Sequence, residues 1–232
     1  SGAVNVSGGA NTFIGNLSGG MLQSGIGNIF VGASSGRTNI SGSYNTSLGY
    51  MSGFSNTGSN NVFIGYRAGY NETGSDKLYI DNTNTATPLV WGDFANDQVK
   101  LNGKVGIGAV TTFPTNAGNV SVSNYKLFVT GGILTEEIRV NSSANGTWAD
   151  YVFKQDYNLK SLSEVENFIK ENGHLPNVPS AAQVKEEGIA LGEMAKIQQE
   201  KIEELTLYII ALNKKLEVQE KRLYKLEKKN NK

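Results

Sequence analysis

A short sequence repeats four times in the first third of the chain. Each copy has the pattern Asn-x-x-aliphatic-Gly-x-x-(Ser/Ala)-Gly, and the copies begin at Asn11, Asn28, Asn45 and Asn61. The first two steps between copies are equal, and the third is shorter by a single residue. A glycine also stands three positions before each of these asparagines. A unit this short cannot bury its own apolar side chains, so the copies must stack on one another or on other chains.

The residue types within each copy favour a β-solenoid. The central Phe-Ile, Phe-Val and Ser-Leu pairs are β-prone, and the flanking Gly and Asn residues suit turns with positive φ. A repeat of this length predicts one coil with two short strands and two turns. A low-complexity linker would not keep its phase over four copies. The aliphatic column of Ile14, Val31, Leu48 and Ile64 predicts a continuous interior stripe.

Longer strands and then two helices are predicted after the repeats. The predicted strands are Lys77–Asp81, Pro88–Trp91, Gln98–Leu101, Lys104–Ile107, Lys126–Val129, Ile133–Val140 and, opening a mixed α/β region, the aromatic run Trp148–Phe153. The predicted helices are Leu162–Asn172 and Ala181–Glu187. Ser161 or Ser163 would cap the first helix and Ser180 the second.

A heptad pattern predicts that the C-terminal segment is a coiled coil. The a positions are Ala195, Ile202, Ile209, Leu216 and Leu223, and the d positions are Leu191, Gln198, Leu205, Leu212, Gln219 and Leu226. An amphipathic helix on a globular core would need a wider apolar face. Isoleucine at a with leucine at d favours dimers, but two glutamines at d weaken that inference, so the coil alone leaves the number of chains open.

Charge and composition restrict the classes of function. Residues 1–75 carry three formal charges, Arg37, Arg67 and Glu72, whereas residues 191–232 carry ten Lys/Arg and seven Glu. The repeat segment contains no basic patch with interleaved aromatic residues, so nucleic-acid binding is not expected. The absence of cysteine excludes disulfides and thiolate metal sites. The sequence contains no run of about 18 apolar residues, so no membrane-spanning helix is predicted. The first residues show no signal-peptide pattern and resemble those of an internal fragment.

Several of these segments resemble known fibre proteins. The Asn-x-Phe-Ile-Gly-x-x-Ser-Gly repeats resemble the heads of trimeric bacterial adhesins and repeats of phage tail fibres. The segments Lys77-Leu-Tyr-Ile-Asp-Asn, Pro88-Leu-Val-Trp-Gly-Asp-Phe, Trp148-Ala-Asp-Tyr-Val-Phe and Gly173-His-Leu-Pro-Asn-Val-Pro-Ser-Ala resemble tail-fibre-type proteins of Bacteroidetes. The part of the chain from Trp148 onward is similar in plan to the intramolecular chaperone of tail spikes and fibres, a small α/β piece followed by a long trimeric helix.

The resemblance implies a mainly β chain with a C-terminal helix, assembled as a homotrimeric fibre. The β-roll or β-solenoid head would span 1–75, the β shaft 76–147, the small α/β chaperone-like region 148–190 and the parallel trimeric coiled coil 191–232. Repeats with few charges also leave an apolar stripe that only neighbouring chains can cover. The expected trimer core is Ile14, Val31, Leu48, Ile64, Ile202, Leu205, Ile209, Leu212, Leu216, Gln219, Leu223 and Leu226.

The function implied is structural and adhesive. The fibre would be extracellular, on a virion tail or a bacterial surface, continuous with a larger assembly upstream of Ser1, and would bind a glycan or protein receptor on a host cell. A scaffold without a receptor is the second possibility. Tyr50, Tyr66 and Tyr70 flank expected outer turns, where exposed tyrosines can bind sugars or proteins. Their rings could instead pack between layers or chains.

The chain offers little for catalysis, and no enzyme activity or cofactor is expected. Chaperone domains of this kind often cleave themselves through a serine and a lysine five positions on, which here would be Ser180 and Lys185, but Ala181 stands where such motifs carry aspartate. Ser180 also fits a helix cap. His174 is the one histidine, and a loop histidine before Leu-Pro is more often a hydrogen-bonded turn residue than a metal ligand at a threefold axis.

Overall fold

The computed structural model describes residues 7–141 and 148–230. The strands there are β1 (Thr12–Ile14), β2 (Ile29–Val31), β3 (Thr46–Leu48), β4 (Val62–Ile64), β5 (Lys77–Ile80), β6 (Val90–Asp93), β7 (Gln98–Leu101), β8 (Val105–Ile107), β9 (Asn116–Ala117), β10 (Val120–Ser121) and β11 (Leu127–Val129). The α-helices are α1 (Leu162–Asn172), α2 (Ala181–Glu187) and α3 (Leu191–Asn230). The chain divides into two compact units, 7–113 with 125–131, and 114–124 with 132–141 and 148–230.

The repeats form a β-solenoid of about four turns, as their phase predicts. Each repeat contributes one short strand, and strands β1 to β5 pair in parallel, in register, along the stack. The prediction of two strands per coil is wrong, because the rest of each coil consists of turns. A glycine ends each short strand; Gly49, for example, has φ +135°. A Cβ at Gly49 would lie 2.3 Å from the carbonyl oxygen of Gly65 in the next coil.

The interior of the solenoid is built on the middle residue of each strand. Phe30 and Phe63 are fully buried, and the ring centres of Phe13 and Phe30 lie 5.4 Å apart in a stacked arrangement. Close packing against these rings requires glycine, since a Cβ at Gly36 would stand 2.6 Å from the ring of Phe30. Neighbouring residues of a strand point to opposite faces, so the aliphatic residue after each ring lies on the outer face. The predicted interior position of the aliphatic column is therefore wrong for the single chain.

The asparagine that opens each repeat forms a buried ladder along the stack. The Oδ1 atoms of Asn28 and Asn45 each accept the backbone N–H of the next asparagine, both at 3.0 Å. The Nδ2 groups of the same residues donate to the carbonyl oxygens of Gly42 and Gly58, both at 2.9 Å. The side chains thus satisfy backbone groups that the turns leave unpaired inside the stack, which explains the Gly-x-x-Asn spacing.

Strands β5 to β7 close the solenoid as an antiparallel meander within the same seven-stranded sheet. The sheet is therefore continuous across residue 75, the predicted end of the repeat region. Tyr79 in β5 packs edge-on against Phe63, with ring centres 5.7 Å apart. Lys77 bridges β5 to β6 through Asp93 at 2.9 Å. Strands β8 and β11 pair separately, in parallel.

The second unit confirms the predicted helices and corrects two predicted strands. Ser161 and Ser180 form capping boxes at the starts of α1 and α2. The run Ala149–Phe153 is a 3-10 helix rather than a strand, because its buried residues Ala149 and Val152 are three apart and share a face of such a helix. Residues 133–140 form no strand, and Leu134 is fully exposed there without a pairing partner among the described residues.

Candidate functional site

The outer face of the seven-stranded sheet carries an unbroken row of aliphatic side chains. We call it the outer row; its register-paired members are Ile14, Val31, Leu48, Ile64, Ile80, Val90 and Leu101. All of them are exposed or half-buried in the single chain, and the Ile14 residue is 60% exposed to solvent. With strands about 4.8 Å apart, the row runs over roughly 29 Å. Four members are the predicted trimer-core residues of the head, and the sheet adds three from β5, β6 and β7.

Helix α3 leaves its heptad stripe open in the same way. Every predicted core leucine and isoleucine of the coil is more than half exposed, from Leu212 and Leu216 at 54% to Ile209 at 64%. Gln219 is exposed as well. The buried residues of the helix, Glu200 and Glu203, lie outside the a and d positions. Residues 148–190 contain helices and no strand, so the predicted α/β character of this region is wrong. The region covers another face of α3 and leaves the a/d stripe uncovered.

Polar contacts hold residues 148–190 to α3. The hydroxyls of Tyr151 and Tyr157 donate to the carboxylates of Glu200 and Glu204, respectively. Lys201 bridges the two carboxylates at 2.9 Å and 2.8 Å. Burial and the bond to Glu200 raise the pKa of Tyr151 to about 12. Burial alone would raise the pKa of Glu200, but hydrogen bonds from Tyr151, Lys201 and Asn177 outweigh it and lower that pKa.

Replacing Tyr151 by phenylalanine should destabilise this contact. The change removes one donor from the buried Glu200 carboxylate, so we expect the free energy of unfolding to fall by about 1–3 kcal/mol. Urea unfolding followed by far-ultraviolet circular dichroism measures it. Because the folded pKa of Glu200 is lowered, its contribution is present above the ordinary glutamate pKa of about 4.3 and is lost as pH falls through the folded value. The difference between the two proteins should therefore shrink in that acid range.

The matched control is Tyr224→Phe, because the Tyr224 ring is 59% exposed. This change should alter the free energy of unfolding by less than about 0.5 kcal/mol. Equal effects of the two substitutions at neutral pH would contradict a specific role for the Tyr151–Glu200 bond.

A groove of 290 Å³ opens beside these contacts, between α1, the loop after it and α3. Its apolar lining comes from Leu162, Val165, Leu175, Pro176 and Leu205. Two of its polar side chains are already paired, since Lys201 bridges the carboxylates and the Tyr208 hydroxyl donates to the Lys160 carbonyl at 2.6 Å. Leu205 also belongs to the a/d stripe, so the groove borders that stripe.

The three candidate binding tyrosines lie in the turns after β3 and β4, in two separate stacks. Tyr50 and Tyr66 are both about half exposed, and their ring centres are 5.7 Å apart. Tyr70 is half-buried and stacks on Phe54 instead, at 4.9 Å. The expected packing between layers and the expected exposure are thus both present. On one side of Tyr70 lies a cavity of 140 Å³, lined partly by Asn71, Asn84 and Thr85.

Sequence reasoning missed two arginines beside these rings. The guanidinium carbon of Arg67 lies 4.4 Å from the centre of the Tyr70 ring, and that of Arg37 lies 5.7 Å from the centre of the Phe54 ring. Arg37, Phe54 and Tyr70 occupy equivalent positions of successive coils, each one repeat after the last. That phase is the signal that identifies Arg37, whereas Arg67 lies three positions before Tyr70 in the same coil.

The remaining candidates have ordinary structural contacts. The Ser180 hydroxyl accepts the Gln183 backbone N–H at 3.2 Å, so the predicted capping role is confirmed, and Lys185 lies in the last turn of α2. His174 Nδ1 is 3.0 Å from the Leu175 carbonyl oxygen, and its ring packs edge-on against Phe168. Within 7–141 and 148–230, no group of three or more acidic or histidine side chains is arranged to hold a metal ion.

Comparisons with known proteins identify no relatives. No family model matches the chain, and no curated protein or solved structure is significantly similar to it. The resemblance to adhesins and tail fibres therefore stays a prediction. Among the described residues, no helix is both long and apolar enough to span a membrane.

Proposed function

We propose that this chain is the protomer of a homotrimeric, extracellular adhesive fibre. The C-terminal helices would form a parallel coiled coil that joins three chains, and the solenoids would present a surface that attaches to a glycan or protein on a cell. The chain has no catalytic role in this proposal. The number three is taken from the likeness of the repeats to the heads of trimeric adhesins.

The outer row is the observation that carries the proposal. A folded monomer rarely exposes a continuous apolar strip of this length to water, and such strips mark protein interfaces. Strands of the row differ in their polar residues, but all seven keep an aliphatic side chain at this position. We infer that other copies of the chain cover it.

The a/d stripe of α3 independently supports association with other copies of the chain. Heptad helices associate through like stripes, and the a/d stripe of one copy is complementary to that of another. Parallel association of identical helices imposes rotational symmetry on the chains attached to them. With such symmetry, every chain presents the same outer row to its neighbours. Contacts between the a/d stripes would then align the chains for contacts between the outer rows.

Light scattering coupled to size-exclusion chromatography tests the assembly. We expect a solution mass three times that of the 24.9 kDa chain. Twice the chain mass would contradict the trimer while keeping self-association, and a monomer at micromolar concentration would overturn the fibre. The adhesive part is tested by incubating the assembled protein with a glycan array. We expect binding to at least one class of glycan. If the protein bound no glycan on the array and no bacterial cells, a scaffold without a receptor would be favoured.

A further inference from the structure

Two arginines and two aromatic rings form a column on the turns of the solenoid. We call Arg37, Phe54, Tyr70 and Arg67 the arginine ladder. The Phe54 and Tyr70 rings stack at 4.9 Å, Arg37 lies over Phe54 and Arg67 lies over Tyr70. The ladder thus holds two cations against a flat aromatic surface, where their positions are fixed by the rings.

Neither guanidinium has an anionic partner. Among the described residues, Arg37 and Arg67 form no ion pair and no side-chain hydrogen bond, and Arg67 Nε is buried without an acceptor. Glu72 is the one carboxylate in residues 1–75. Its oxygens are taken by the Tyr79 hydroxyl at 2.8 Å and by the Gly74 N–H at 2.7 Å. Both guanidinium groups are therefore unpaired, on a segment (residues 1–75) whose formal net charge is +1.

We propose that the arginine ladder binds an acidic oligosaccharide. The proposal rests on the adhesive function above and names its ligand class. A sugar carboxylate matches the planar fork of a guanidinium, which can bind it through two parallel hydrogen bonds. The rings of Tyr50 and Tyr66 offer contacts to the uncharged parts of neighbouring sugars. The cavity beside Tyr70 does so as well, because its one carboxylate, Glu72, is already hydrogen-bonded within the chain.

The low number of cations favours a saccharide over a nucleic acid. Nucleic acids carry one negative charge per nucleotide, and proteins that bind them neutralise several phosphates with Lys and Arg. The solenoid repeats offer only Arg37 and Arg67. A polyuronate also carries one charge per unit, but its ring hydroxyls form hydrogen bonds with polar side chains such as Asn71, Asn84 and Thr85. Its binding therefore depends less on the number of cations.

Isothermal titration calorimetry on the intact chain tests the site. The probes are polygalacturonate fragments, neutral galactan fragments of equal length and a single-stranded oligodeoxynucleotide. We expect binding of polygalacturonate that weakens with added salt, and binding at least about tenfold weaker for both other probes. The double variant Arg37→Gln/Arg67→Gln should bind polygalacturonate at least about tenfold more weakly. Arg139→Gln, at an exposed arginine of the other unit, is the matched control and should change the affinity less than about twofold.

Several outcomes would overturn the site. These are no binding of polygalacturonate, equal binding of galactan, preferred binding of the oligonucleotide, or an affinity that the double variant leaves unchanged. Light scattering on each variant separates the site from the assembly: if the double variant loses its oligomeric mass, the arginines serve the contact between copies and the proposal is wrong. A monomeric protein that still binds polygalacturonate through the ladder would contradict the fibre but support the site.

Discussion

Replacing Asn45 by alanine should lower the free energy of unfolding of the solenoid by about 2–4 kcal/mol. The side chain is 1% exposed and holds two coils together. Its Oδ1 accepts the backbone N–H of Asn61 at 3.0 Å, and its Nδ2 donates to the Gly58 carbonyl at 2.9 Å. Alanine leaves the Asn61 N–H buried without a partner, at a cost of about 1–3 kcal/mol, and leaves the Gly58 carbonyl with only the longer bond from Asn39 Nδ2 at 3.3 Å.

Denaturant unfolding of the intact chain, monitored by circular dichroism, measures this loss. Asn16→Ala is the control, since Asn16 lies in an exposed turn and its side chain makes no hydrogen bond in the described part of the chain. We expect the control to stay within about 0.5 kcal/mol of the unchanged protein. A cost below about 1 kcal/mol for Asn45→Ala would show that water replaces the asparagine ladder, which would contradict its structural role.

Ile64→Lys should weaken the proposed trimer without unfolding the chain, and the coiled coil of α3 would then be the main contact between copies. Ile64 lies at the centre of the outer row and is 36% exposed in the single chain, so a lysine there remains hydrated in a monomer. In the assembled fibre, three ammonium groups would be buried at one level, and burying even one unpaired charge costs several kcal/mol. On dilution, the mass from light scattering should fall below three times 24.9 kDa at a protein concentration at least about tenfold higher than for the unchanged protein.

The matched control is Ser41→Lys, which adds the same charge in an exposed turn outside the outer row. Its mass should equal that of the unchanged protein. If Ile64→Lys dissociated at the same protein concentration as the unchanged protein, the outer row would not be an interface between copies. Loss of folded signal in the circular dichroism spectrum of Ile64→Lys would instead place Ile64 in the core of the single chain, which also contradicts the proposed interface.

The helices were predictable because their signals are local. Ser161 and Ser180 each carry a Glu or Gln three positions later, which completes a capping box, and Gly173 ends α1 with φ +73°. These features depend on a few neighbouring residues and on no distant contact. The existence of the solenoid was predictable for a different reason, since a repeat that keeps its phase has to stack.

The orientation of each coil was not predictable from hydrophobicity. Phe30 and Val31 are neighbours and both apolar, so alternation alone gives no preference for which of them points inward. The informative residue lies six positions after the ring, at Gly36, where the ring leaves no room for a Cβ. The strand expected at Ile133–Val140 failed because a strand requires a hydrogen-bonded neighbour, which a single segment of sequence does not reveal.

The third step of the repeat is shorter than the first two by a single residue, and this deletion is confined to one exposed corner. Gly42 follows Asn39 by three positions, whereas Gly58 follows Asn56 by only two. Both asparagines remain buried, and strands β2, β3 and β4 keep their register on either side of the deletion. The length of this turn can therefore change without disturbing the strand register or the buried asparagines. Insertions and deletions at this turn can alter the surface of the solenoid without any compensating change in its interior.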